Sequence, residues 1–140
     1  MILLDTTVIS ELMAPHPNGA VFAFVEAEPR ARFCTSAIVK AEILAGVARL
    51  PEGRPREALA ADARRLFDVE FAGRVLAFGC EAATHYAAIV AARRAEGRPL
   101  AGVDCLIAAT ARAAGARIAT RNVRDFEGCG VEVVDPWAAP

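Results

Sequence analysis

The chain opens with an unbroken apolar triplet, Ile2-Leu3-Leu4, that stops at an acid, Asp5. A continuous rather than alternating run predicts a strand covered on both faces, as in a parallel sheet, with Asp5 at its carboxyl end. Val8 to Met13 predicts a short helix stopped by Pro15 and Pro17, and Val21 to Glu26 a second one ahead of Pro29. Arg32 to Cys34 reads as another short strand. Thr35 or Ser36 then caps a helix running to about Leu50, with Val39, Ile43, Val47 and Leu50 recurring on one face. Pro51 and Gly53 end it. Leu59, Ala63, Leu66 and Phe67 keep helical register in a further amphipathic helix whose Arg64 and Arg65 face water. Val75 to Phe78 reads as a strand, and Glu81 to Ala95 as an Ala-rich helix closed by Gly97 and Pro99. Val103 to Ala113 is apolar nearly all round, which predicts a helix buried at the centre and capped by Gly115. Arg117 to Thr120 and Val131 to Val134 are the last strands, separated by a polar loop with Arg121, Asn122, Arg124 and Asp125. Strands alternating with helices give an α/β fold layered on a mainly parallel sheet, because parallel neighbours need crossover helices.

The length of 140 residues suits one domain, residues 1–140, and 55% hydrophobic residues suit a packed core. No apolar run is long enough to span a bilayer. Asp5 follows the first apolar residues at once, unlike a secretory leader, so the expected location is the cytoplasm, away from membranes. Cys34, Cys80, Cys105 and Cys129 lie far apart with no CxxC pair, which excludes zinc and redox motifs and leaves small apolar residues kept reduced. A net charge of −1 argues against gripping nucleic acid by bulk electrostatics. Local patches must serve instead. All basic residues but Lys40 are Arg, whose guanidinium suits bidentate phosphate contacts.

Candidate chemistry centres on acids. In an open parallel sheet, ligands bind at the carboxyl ends of strands, where Asp5 stands; a helix cap at Asp5, Thr6 or Thr7 accounts for the same residues. Glu42 borders the apolar stripe of its helix, as a solvated helix edge would also require. Asp104 is the one acid between Leu100 and Ala114, and there its charge needs compensation. Either a cap on a helix starting at Cys105 or a metal ion supplies it. Asn122 and Asp125 approach Asp5 if the first strand and the one ending at Thr120 are neighbours.

Four segments together resemble the PIN-domain family, and more closely its VapC and FitB toxin ribonucleases. They are Ile2-Leu3-Leu4-Asp5-Thr6-Thr7-Val8-Ile9-Ser10-Glu11, Ala41-Glu42-Ile43-Leu44-Ala45-Gly46-Val47, Val103-Asp104-Cys105-Leu106-Ile107-Ala108-Ala109-Thr110-Ala111, and Thr120-Arg121-Asn122 with Asp125-Phe126. Their order and separations span nearly the whole chain. The resemblance implies a three-layer α/β/α PIN-like domain and an acidic cluster of Asp5, Glu42 and Asp104 holding Mg²⁺, with Mn²⁺ as an alternative ion. The family's fourth position, often Asp, falls on Asn122, which removes one charge, suits a metal-bound water and disfavours a second metal ion; Asp125 is its substitute candidate. Implied with it are cleavage of RNA to 5′-phosphate and 3′-hydroxyl ends, a homodimer, and a cognate antitoxin whose tail enters the active-site groove. Arg121 and Arg124 are candidate RNA phosphate contacts. Phe22, Phe24 and Val25 are candidates for antitoxin docking, with core packing the competing account of the two phenylalanines.

Other classes fit less well. A haloacid-dehalogenase-like phosphatase needs a second Asp two residues after the first, where Thr7 stands, and a phosphoacceptor domain needs a late Lys, whereas Lys40 is the only lysine. The remaining alternative is a non-catalytic PIN-like module that binds protein or RNA through a degenerate metal site, a reading that Asn122 sustains.

Overall fold

The first strand does sit where its continuous apolar run requires, at the centre of a sheet covered on both faces. A computed structural model describes residues 1–100 and 102–138, so Ala101, within the apolar stretch Leu100 to Ala114, lies outside the described residues. Strands β1 (Ile2–Leu4), β2 (Phe33–Ser36), β3 (Val75–Leu76), β4 (Arg117–Ala119) and β5 (Val133–Val134) form one sheet in the order β3-β2-β1-β4-β5. All four pairings are parallel. Around it pack α1 (Thr6–Leu12), α2 (Gly19–Glu26), α3 (Ala37–Ala48), α4 (Arg54–Arg65), α5 (Cys80–Ala95), α6 (Gly102–Ala114) and α7 (Val123–Phe126), in a three-layer α/β/α arrangement. Among the described residues no helix is long and apolar enough to cross a membrane.

Ile2, Leu3 and Leu4 are fully buried, each such side chain worth about 1.5–3 kcal/mol of transfer free energy. Ile107, Ala108, Ala109 and Ala111 of α6 join the same core with Ile118 of β4. Small alanines let α6 approach its neighbours closely, and α5 packs along it. Ser36 rather than Thr35 caps α3, its hydroxyl accepting the Val39 N–H at 3.1 Å, while Thr35 turns its hydroxyl to the Leu4 carbonyl.

Several expectations need correction. Val39, Ile43 and Val47 are buried, but Leu50 lies beyond the end of α3 and is 39% exposed. Helix α6 is not buried all round: Val103 in its first turn is 41% exposed. The polar loop after β4 contains the one-turn helix α7, anchored by the buried Phe126. Of the cysteines, Cys80 is exposed, and all four thiols are free. Burial pushes the Cys34 thiol up to about 11, which keeps it a neutral apolar filler.

Candidate active site

Register brings the candidate residues together. Leu4 of β1 is level with Ala119 of β4, and the Asp5 N–H donates to the Ala119 carbonyl at 3.0 Å. Asp5 and Thr120 therefore leave the sheet side by side. On the other flank β2 delivers α3, whose second turn carries Glu42. Asp104 enters from the first turn of α6. The chain runs from β1 to β2 on one side and returns to β4 on the other, so this edge is the topological switch point where open α/β sheets bind ligands.

Hydroxyls hold the carboxylates. Asp5 is 3% exposed, and its Oδ2 accepts the Thr120 hydroxyl at 2.7 Å and, more weakly, that of Thr7 at 3.4 Å. Asp5 occupies the N-cap position of α1, yet its side chain makes no capping bond, so the carboxylate is turned away from helix capping. The Thr120 hydroxyl also accepts the Asn122 N–H, and Thr7 accepts the Arg121 N–H, both at 3.1 Å. One small network thus ties the first strand's acid to the backbone of the fourth segment. Glu42 Oε1 accepts the Thr6 hydroxyl at 2.5 Å. On sequence alone Thr6 and Thr7 read only as possible caps and Thr120 has no role of its own; the signal is Thr6-Thr7 just past the acid that ends the first strand and Thr120 directly after its neighbour.

Asp104 is not the N-cap of a helix starting at Cys105, because α6 begins at Gly102 and Asp104 sits inside its first turn. The dipole of that turn favours its charge. Burial nevertheless dominates and pushes its carboxyl up to about 6, with further upward pressure from the negative charges of Asp5, Asp125 and Glu42. These four acids therefore share one electrostatic neighbourhood. They do not form a ready cage: among the described residues no three Asp, Glu, His or Cys side chains stand close enough to enclose an ion. Asn122 caps α7 without a side-chain capping bond and is exposed, as is Asp125. A cleft of about 380 Å³ opens beside Glu42 between α1 and α3, lined by Thr6, Ser10, Met13, Gly46 and Val47 among others.

The far wall of the site is stapled by arginine. Arg93, only 5% exposed, donates from Nε to the Arg98 carbonyl at 2.7 Å and from Nη1 to the Glu127 carbonyl, tying the end of α5 to the chain just after α7. Arg98 adds a bond to the Arg124 carbonyl at 3.3 Å and an ion pair with Glu127. Arg121 and Arg124 are exposed beside the acids, and the Arg121 guanidinium lies over the Trp137 ring, 5.2 Å from its centroid.

The family model described as PIN domain matches residues 2–128. The chain belongs to the PIN-domain family. It is 38% identical to the VapC ribonuclease Y4jK of Sinorhizobium fredii over 137 residues, covering 98% of each chain. It is likewise 38% identical to Toxin FitB of Neisseria gonorrhoeae over 137 residues, covering 98% of this chain and 99% of that one. Among solved structures, that of FitAB bound to a DNA fragment superposes with a TM-score of 0.93 at 37% identity, covering 100% of this chain and 98% of the other.

Proposed function

We propose that this chain is a Mg²⁺-dependent endoribonuclease and the toxin of a toxin–antitoxin pair, acting in the cytoplasm. The observation that carries the reading is that Asp104, raised by burial, also feels the negative charges of Asp5 and Glu42 at the switch point, although the three do not form a closed cage. Clustered, partly desolvated carboxylates with hydroxyl supports are costly for a fold alone and useful to a cation. The donors fit Mg²⁺, with Mn²⁺ second: hard oxygens, held by only one or two carboxylates at a time, suit an ion that keeps several of its waters. Names of similar proteins, VapC ribonuclease and Toxin FitB, support the same reading.

In this proposal Asp5 and Asp104 hold the ion, and Asn122 orients one of its waters. When bound, Mg²⁺ would polarise the scissile phosphate and offset its growing negative charge. Thr120 occupies Asp5 Oδ2, which restrains the carboxylate and would leave Oδ1 available to the ion. Thr6 fixes Glu42 in the same way, so that Glu42 Oε2 aligns the attacking water and takes its proton. The water oxygen bonds to phosphorus, the bond to the 3′-oxygen breaks, and that oxygen takes a proton from solvent, leaving 5′-phosphate and 3′-hydroxyl ends. The RNA strand runs through the cleft beside Glu42, with Arg121 and Arg124 on its phosphates.

In this reading an antitoxin sends its tail into the active-site groove and also docks on an apolar groove beside α2. Phe22 is 53% exposed, contrary to a core role, and borders a groove of about 550 Å³ with Leu12, Val25, Phe33 and Phe71. Phe24 is half-buried instead and packs on Phe33 against the core. A homodimer is part of the proposal and is checked by sedimentation. Incubating the purified protein with total RNA, with and without chelator, and mapping the cut ends tests the nuclease claim. Chelator-sensitive cuts with 5′-phosphates support it. If cutting is absent and Mg²⁺ titration calorimetry gives no heat, the non-catalytic binding module is the correct reading.

A further inference from the structure

A chain with net charge −1 must hold RNA with few cations, so how each one is held matters. Arg121 is unusual among the exposed arginines. Its backbone N–H is tied to Thr7 in the acidic centre, and its guanidinium lies on the face of Trp137, 5.2 Å from the ring centroid. Among the described residues no carboxylate pairs with it. Trp137 is itself held: its side chain packs against the core, Pro136 before it is buried, and its backbone N–H donates to Asp135 Oδ1 at 2.9 Å. It is the only tryptophan and lies beyond residue 128, where the family match ends.

We propose that Trp137 is a positioning residue for RNA, its indole face holding the Arg121 guanidinium at the rim of the acidic centre with its N–H donors free for a substrate phosphate. The inference rests on the nuclease reading and adds a residue to it. The physics favours the pairing for this task. Stacking on an aromatic face uses the π surface of a guanidinium and leaves its in-plane N–H edge open, unlike an ion pair, which would consume that edge. A free Arg side chain loses rotamer freedom on gripping phosphate; one already laid on an indole has lost part of it beforehand.

The test measures binding of a fluorescently labelled, mixed-sequence single-stranded 12-mer RNA in EDTA, so that nothing is cut, across a salt series. The expected result is that Trp137→Ala weakens binding about threefold to fivefold, that Trp137→Phe retains most of the affinity, and that Trp137→Ala has no further effect once Arg121→Ala is present. A tryptophan needed only for folding would weaken both backgrounds equally, and that outcome overturns the proposal. So does unchanged affinity in Trp137→Ala. Where Trp137→Ala fails to fold, Trp137→Leu against Trp137→Phe decides: equal affinities overturn the pairing. A pair that leaves RNA binding intact but is needed to bind the neighbouring gene's product belongs to a protein interface, and the proposal falls. Parent protein that binds no RNA at any salt removes the nuclease reading and this inference together, whereas binding that ignores the pair removes this inference alone.

Discussion

The hydroxyl of Thr120 serves three partners from one buried position. It donates to Asp5, accepts from the Asn122 backbone and lies 3.4 Å from the Thr7 hydroxyl. Thr120→Val keeps the shape and deletes the hydroxyl, freeing the carboxylate to rotate and leaving a backbone N–H unpaired. We expect cleavage of a fluorogenic RNA to fall about tenfold to a hundredfold, as losses of ligand-orienting groups do, with Thr120→Ser recovering most of it. Asp104 offers a second residue-scale test. Its folded-state carboxyl is raised to about 6 from 3.8, so the folded protein binds this proton more tightly than the unfolded chain. Its contribution to folding is most favourable below the unfolded value, and that advantage is lost as pH rises through the folded one. In chelator, Asp104→Asn should therefore melt higher than the parent at pH 7.5, and the difference should vanish near pH 4; a gain that persists at pH 4 contradicts the assignment. The same variant should abolish Mg²⁺-dependent cutting.

At the scale of elements, Gly46 sits inside α3 on the wall of the cleft, and a Cβ there would meet nothing within 4 Å. Gly46→Ala should stabilise the protein by about 0.5–1 kcal/mol, read as a higher melting temperature, since glycine is the weaker helix former. Gly46→Leu, which fills the cleft, should instead slow RNA cleavage while preserving the fold. The one-turn helix α7 is too short to hold itself and depends on Arg93. Arg93→Met strips donors from the Arg98 and Glu127 carbonyls and should cost about 2–3 kcal/mol, with faster amide exchange across α7.

The elements also show where the sequence was informative. β1 and α3 were legible because burial on both faces writes a continuous apolar run and burial on one face writes a helical stripe. Asp5, Glu42 and Asp104 were visible as acids against apolar surroundings and as parts of motifs. Helix α7 was not, because one turn has no period to read, and Phe126 alone carries its burial. Arg93 and Arg74 look like every other arginine in the sequence, yet both bind backbone carbonyls rather than phosphate or carboxylate. What the sequence hides is long-range pairing. Thr120 acquires its role only because β4 lies beside β1, more than a hundred residues earlier.

For the whole molecule, the near-neutral charge predicts weak and only mildly salt-sensitive RNA binding. If the two proposed phosphate contacts, at Arg121 and Arg124, are the ones made, the slope of log affinity against log salt should be roughly −1.4. A much steeper slope would require a basic face elsewhere. The position of β1 has a consequence during synthesis. Strand β1 and Asp5 after it are made well before their partners, because β4 lies far downstream and the Thr120 hydroxyl follows Asp5 by 115 positions. Nascent chains gain structure from the amino end, whereas this centre closes only with the last quarter of the polypeptide. If the proposed nuclease reading holds, a half-translated chain would therefore leave RNA uncut, its centre still unassembled.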